Sequence, residues 1–207
     1  MSLWEIIVAG GAILWVIMAL SVFSMILAIY FLTTVTPSRE VPEQFVKRAH
    51  SQIRAGDLRG AFQMCEGRDE LIANVLRAGL KMHGHDRFVI QEAMESVGER
   101  GAAEMWQKIS YLNNIGHIAP LLGLMGTVWG MIGAFGTIAS SDTSGAKSIV
   151  MALNVAKAMV NTLAGLALAV MAMAVYFYLR GRVVRIVSEV EAHATEFIEA
   201  LARSPKT

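Results

Sequence analysis

Three long windows without charge decide what this chain can fold into. No Asp, Glu, Lys or Arg occurs from Ile6 to Ser38 or from Ile109 to Ser141, and only Lys157 interrupts the run from Ser148 to Leu179. A helix needs roughly 20 apolar residues to cross the hydrocarbon core of a bilayer, and buried helices of soluble proteins rarely supply three such runs. Each window is therefore expected to span a membrane. Composition agrees, with 55% of residues hydrophobic, 17% charged and a mean hydropathy of +0.49. The net charge is +1, and no basic stripe is present to neutralise phosphates, so nucleic acid is not an expected partner. The lone cysteine, Cys65, cannot form an intramolecular disulfide. The first window is read as a span and not as a signal peptide, because no basic residue precedes it and its apolar core, Ile6 to Leu32, is too long.

The basic residues orient the spans. Eleven Lys and Arg lie between Pro37 and Lys108, and five more follow the third window, beginning with Arg180, Arg182 and Arg185. Only Glu5 precedes the first span, and the connection near Ser140 adds Asp142, with Lys147 at its edge. The positive-inside bias then predicts an all-α integral membrane protein with its N-terminus outside and long helical extensions in the cytoplasm. Residues 1–36 form the external N-terminus and first span, and 37–108 a cytoplasmic helical insert. The second span is 109–138, followed by a short external loop at 139–147. Residues 148–180 make the third span and 181–207 a cytoplasmic helical tail.

An insert of this length without secondary structure would be improbable, so helices are expected in it. Asp57 and Asp69 are predicted N-caps of two short helices, with Gly56 and Gly67 as breaks, and Asp86 caps a longer one. From there Ile90, Met94, Val97, Gly101, Met105, Ile109 and Leu112 recur at three- and four-residue steps, so that helix is expected to run into the second span. In the tail, Val183, Val187, Val190, Ala194, Phe197 and Leu201 form a seam suited to a neighbouring helix, the alternative being an amphipathic helix that lies on the membrane surface or on its own domain.

Within the second span, Gly116, Gly123, Gly126, Gly130 and Gly133 fall largely on one side, and Gly126-x-x-x-Gly130 has the spacing of close backbone packing. Pro120 sits near the span's cytoplasmic end, where a lost backbone bond is tolerable. In the third span, Asn154, Lys157 and Asn161 are separated by three and four residues, and Thr162 flanks the same face. A lysine at mid-membrane costs about 2.5–3.5 kcal/mol, so this stripe is expected to face a protein seam or a hydrated pore unless Lys157 snorkels to the surface.

The run Asn114-Ile115-Gly116-His117-Ile118-Ala119-Pro120-Leu121-Leu122-Gly123-Leu124-Met125-Gly126-Thr127-Val128-Trp129-Gly130-Met131 resembles the signature of the MotA/TolQ/ExbB proton-channel family in its ExbB/TolQ branch. Ala156-Lys157-Ala158-Met159-Val160-Asn161-Thr162-Leu163-Ala164-Gly165-Leu166 is similar to that family's third-span motif. The resemblance implies a homo-oligomer, pentameric in the family, around the single membrane helices of an ExbD/TolR-like partner that carries a membrane aspartate, with a TonB-like protein as a further partner. It implies that Thr127 and Thr162 line the proton pore, joined here by Asn154, Lys157 and Asn161, while Gly123, Gly126, Gly130 and Pro120 serve helix packing. Family members often carry a glutamate where this chain has Lys157, and a proline after Gly165 where this chain reads Val170-Met171. A cation in place of the carboxylate speaks against proton relay by this subunit and leaves relay by the partner's aspartate, which the resemblance implies, undisturbed. Protons are the expected coupling ion, in a bacterial inner membrane.

Other readings are a flagellar or gliding-type stator subunit and a passive membrane scaffold. Four spans would be expected of the flagellar type. No nucleophile elbow, P-loop or paired catalytic carboxylates are present, so no enzyme and no cofactor are expected. His83-Gly84-His85-Asp86 offers metal donors, but a helix-start loop capped by Asp86 accounts for them, and no metal site is assigned. His117, near Pro120, is expected to hydrogen-bond at the membrane interface.

Overall fold

The computed structural model describes residues 11–140 and 144–203, and among these it is helical with no strand. The helices are α1 (Gly11–Thr34), α2 (Pro37–Glu40), α3 (Glu43–Arg54), α4 (Leu58–Cys65), α5 (Leu71–Lys81), α6 (Arg87–Ser140) and α7 (Ser144–Arg203). Three of them, α1, α6 and α7, contain stretches long and apolar enough to cross a membrane. This is an all-α membrane protein with three spanning helices, as the charge-free windows require. The expected external N-terminus, residues 1–10, lies outside the described residues, as do residues 141–143 of the connection between α6 and α7.

The chain divides into two compact units. An apolar unit comprises Met1–Tyr30 and Ser110–Phe177, and an amphipathic unit comprises Phe31–Ile109 and Tyr178–Thr207. In the apolar unit, Ile17 of α1, Ile115 and Ala119 of α6, and Leu168, Ala169 and Ala172 of α7 meet in one buried cluster. Large side chains point away from it: Trp129, Leu163, Val170 and Met171 are each about 70% exposed on a single chain (72%, 70%, 69% and 71%). Apolar exposure on this scale belongs to lipid or to neighbouring subunits. Ser24, alone among the polar residues of α1, is buried.

The amphipathic unit has an ordinary water-driven core. Phe45, Ala49 and Ile53 lie on one face of α3, Ile72, Val75 and Leu76 on α5, Ile90 and Met94 on α6, and Val183, Ile186, Val190, Phe197 and Leu201 on α7, all buried. Gly56 and Gly67 adopt φ of 79° and 73°, where a side chain would be strained, and they end α3 and α4 as the sequence predicts. Asp57 caps α4 by accepting from the Gly60 N–H at 2.9 Å. The expected cap at Asp69 is not found. α5 begins two residues later, and its Leu71 N–H is satisfied from a distance, donating to Glu40 Oε2 at 3.0 Å. Asp86 does precede α6, accepting from the Arg87 N–H at 2.8 Å, and the periodic positions from Ile90 to Leu112 are buried or half-buried.

The tail seam is covered by the chain's own insert. A Cβ on Gly79 of α5 would meet Met94 Sδ at 2.5 Å and Leu201 Cδ1 at 3.3 Å, so the glycine makes room for both. Val183, Val190, Phe197 and Leu201 of the seam are buried in this way, whereas Val187 and Ala194 are half-buried and line a cleft. Arg182 closes the end of α1. Its Nη1 donates to the carbonyls of Leu32 (2.8 Å) and Val35 (3.2 Å) and to Thr36 Oγ1 (3.3 Å), while Nη2 donates to Tyr178 Oη at 3.0 Å. These are carbonyls that a helix terminus leaves without partners, at the end where the dipole favours a cation. Cys65 is buried, and desolvation pushes its thiol up to about 11.

Candidate functional site

Where α6 and α7 meet in the apolar unit, the contact is between backbones. A Cβ on Gly123 would lie 2.9 Å from Thr162 Cα and 3.0 Å from the Asn161 carbonyl oxygen. On Gly126 it would meet Asn161 Cβ at 2.6 Å, and on Gly130 the Ala158 Cβ at 2.6 Å. From the other side, a Cβ on Gly165 would stand 2.5 Å from the Ala119 carbonyl oxygen and 3.1 Å from Gly123 Cα. Side chains cannot fit here, so the spacing of glycines in α6 is a steric requirement of the seam. Pro120 lies inside α6 and offers no N–H to the carbonyl one turn earlier, yet the helix continues through it.

Polar groups occupy this seam. Thr162 Oγ1 donates to the Gly123 carbonyl at 3.1 Å, which ties α7 to α6. Asn161 is 4% exposed and lies against Gly126. The Thr127 hydroxyl donates to its own helix, to the Leu124 carbonyl at 2.7 Å. Membrane threonines commonly satisfy themselves in this way. His117, at the start of the span, is exposed and bonds the Asn113 carbonyl through Nδ1 at 2.7 Å.

A cleft of about 740 Å³ opens beside the seam, lined by Asn154, Lys157 and Asn161 together with Gly126, Trp129, Gly130 and the start of α1. The structure thus brings together the three amide and amine residues that the sequence groups into one stripe. Lys157 is exposed to this cleft on a single chain. Thr127 and Thr162 are not part of its lining, and Thr162 points into the contact between two helices of one chain. One participant was missed from sequence. Gly165 contributes the tightest backbone approach of the seam, although only its place in the third-span motif drew attention to it. His83, His85 and Asp86 do not belong to a donor cluster among the described residues; His85 Nδ1 lies 3.3 Å from the Met82 carbonyl and Asp86 serves the α6 terminus.

Three apolar helices, a glycine-lined seam and an amide- and amine-lined cleft define a polytopic α-helical membrane protein. The chain belongs to the MotA/TolQ/ExbB proton channel family, which residues 67–192 match. It is 27% identical over 182 residues to an ExbB-homologous biopolymer transport protein of Methanothermobacter thermautotrophicus, covering 86% of this chain and 63% of that one. An ExbB-like 1 protein of Synechocystis is 28% identical over 172 residues, covering 81% of this chain and 66% of that one. The biopolymer transport protein ExbB of Salmonella typhimurium is 41% identical over 66 residues, which is 32% of this chain and 26% of that one. The chain thus spans somewhat under two thirds of the length of the first two relatives, 63% and 66%.

Proposed function

We propose that this chain is the multi-span subunit of a proton-driven energy-transducing complex, which performs mechanical work on the cell envelope. Membership of a proton channel family, with the match extending over 67–192, is the observation that carries the reading. In this reading several copies, five in the family pattern, surround the single-span helices of an ExbD/TolR-like partner. They sit in a bacterial inner membrane with the N-terminus periplasmic and the insert and tail cytoplasmic, in keeping with the distribution of Lys and Arg. The subunit itself performs no enzymatic step and holds no cofactor.

Proton passage is assigned to the partner's membrane aspartate. The cleft lined by Asn154, Lys157 and Asn161 supports this, because it offers amides and an ammonium to a facing carboxylate in place of hydrocarbon. Lys157 stands where a glutamate is frequent in the family, so the chain's own contribution here is a cation that attracts the ionised carrier. The pore role of Thr127 and Thr162 rests on the family resemblance; in the single chain their hydroxyls bond the Leu124 and Gly123 carbonyls and stand outside the cleft. Moving one charge through ~100 mV is worth about 2.3 kcal/mol, enough to bias the small packing differences between equivalent seams. Alternate ionisation and neutralisation of the aspartate then favours rotation of one component against the other.

The test is proton flux into liposomes holding this chain with and without a single-span partner. Flux is expected only with the partner, and it should fall when the partner's aspartate is changed to Asn. Lys157→Gln should slow it, as should joint replacement of Thr127 and Thr162 by Val with assembly checked separately. Assembly without any partner-dependent flux would leave the passive scaffold as the better reading.

A further inference from the structure

His50, His193 and Glu196 stand together in the amphipathic unit, far apart in sequence and unused by the function proposed above. His50 comes from the last turns of α3, and His193 and Glu196 lie three residues apart on one face of α7. Their donor atoms all fall within 4.8 Å of one another. His50 Nε2 lies 2.9 Å from Glu196 Oε2, and His193 Nδ1 lies 3.6 Å from the same oxygen. Four ligands placed tetrahedrally at 2.0–2.1 Å from a zinc ion are about 3.3 Å apart, a spacing that these two distances bracket.

The ring nitrogens are set for a ligand. His50 Nε2 and His193 Nδ1 are both shielded from solvent, and each faces the same Glu196 carboxylate oxygen. The His50 ring is held by stacking on Phe197, with centroids 4.4 Å apart and planes at 30°. Its orientation is thereby fixed by a side chain that is fully buried. Glu196 remains largely exposed, at 61%, which leaves a path for an ion and room for water in a fourth position. Arg54, one turn beyond His50, is the neighbouring cation that acts on it, and the Glu196 carboxylate opposes that charge.

We propose that His50, His193 and Glu196 bind a divalent transition-metal ion of the zinc class, which staples α3 to the C-terminal part of α7. Two imidazoles and a carboxylate are a zinc donor set, and among first-row divalent ions such ligands also accept cobalt. The ion would hold two segments separated by more than 140 residues in sequence.

The test uses the full chain in detergent, tag-free and stripped with a chelator, titrated with Zn²⁺ and with Co²⁺. One equivalent per chain is expected, with Kd at about 1 µM or below, a Co²⁺ visible band of a tetrahedral site, and a chelator-sensitive rise in melting temperature. His50→Gln, His193→Gln and Glu196→Gln should each weaken binding by about tenfold or more. A double His83→Gln, His85→Gln variant should bind like the parent chain. If His50→Gln does not fold, Glu196→Gln at its exposed position decides the matter. Absence of stoichiometric binding below about 100 µM would overturn the proposal, as would unchanged affinity in Glu196→Gln, or loss of binding in the His83, His85 variant alone.

Discussion

In the amphipathic unit the positions that face inward are held by Phe, Leu, Ile, Val and Met; in the apolar unit they are held mostly by Gly and Ala, while Trp, Leu and Met face out. The contrast follows from the solvent each is built for. In water, burying a large side chain is itself the driving force, worth about 1.5–3 kcal/mol each. In lipid it gains almost nothing, since acyl chains are as apolar as leucine, and helices associate through close backbone packing and hydrogen bonds. Substitutions of the same type should therefore have different consequences in the two regions.

The largest effect is expected from Leu76→Ala, at a fully buried position of α5, which should cost the amphipathic unit about 3–4 kcal/mol. Leu163→Ala, at a position 70% exposed on α7, should change the stability of the single chain by less than about 0.5 kcal/mol. The rate of Cys65 alkylation measures the first effect. In the intact unit burial keeps that thiol protonated, and opening the core exposes it. Because its folded value is raised from 9.0 to about 11, the unit should also lose stability as pH rises from about 9 towards 11, and none from this group below that window.

Glycines sharpen the contrast. Gly165→Ala forces a methyl against the Ala119 carbonyl and the Gly123 backbone, neither of which can turn aside, and should cost about 3 kcal/mol and broaden the particle on size-exclusion chromatography. Gly79→Ala meets the flexible end of Met94 and should cost about 1 kcal/mol. Between the two glycine changes in size, Arg182→Ala removes charged hydrogen bonds from the end of α1 and should lower stability by about 2 kcal/mol, with Lys a poor substitute for the forked guanidinium. Thermal unfolding in detergent checks it. A small effect, about 0.6 kcal/mol for one membrane hydrogen bond, is assigned to Thr162→Val, so a larger loss of proton flux than of stability would mark a role beyond packing.

What the sequence reveals depends on how far apart the interacting residues lie. The spans, the Gly56 and Gly67 breaks, the Asp57 cap and the period from Ile90 to Leu112 are all encoded within a few residues of each other. The Gly126-x-x-x-Gly130 spacing and the stripe of Asn154, Lys157 and Asn161 are likewise periodic signals on one helix. Glu40 bonding Leu71, Arg182 bonding Leu32, and His50 meeting Glu196 have no such signal, because their partners are 31, 150 and 146 residues away. Asp69 was misread as a cap for the same reason, since local propensity could not foresee that Glu40 takes over the α5 terminus. The tail seam shows a related limit. Its periodicity announces a buried face, and only the fold says that the chain's own α5 and α6 residues cover it.

Arg182 has a mechanical implication. The guanidinium is a planar fork, and its bonds to Leu32 and Val35 depend on direction as well as distance. A twist or pull along α7 at this level would load the bonds that join it to the end of α1 before any other link between these two segments at Arg182.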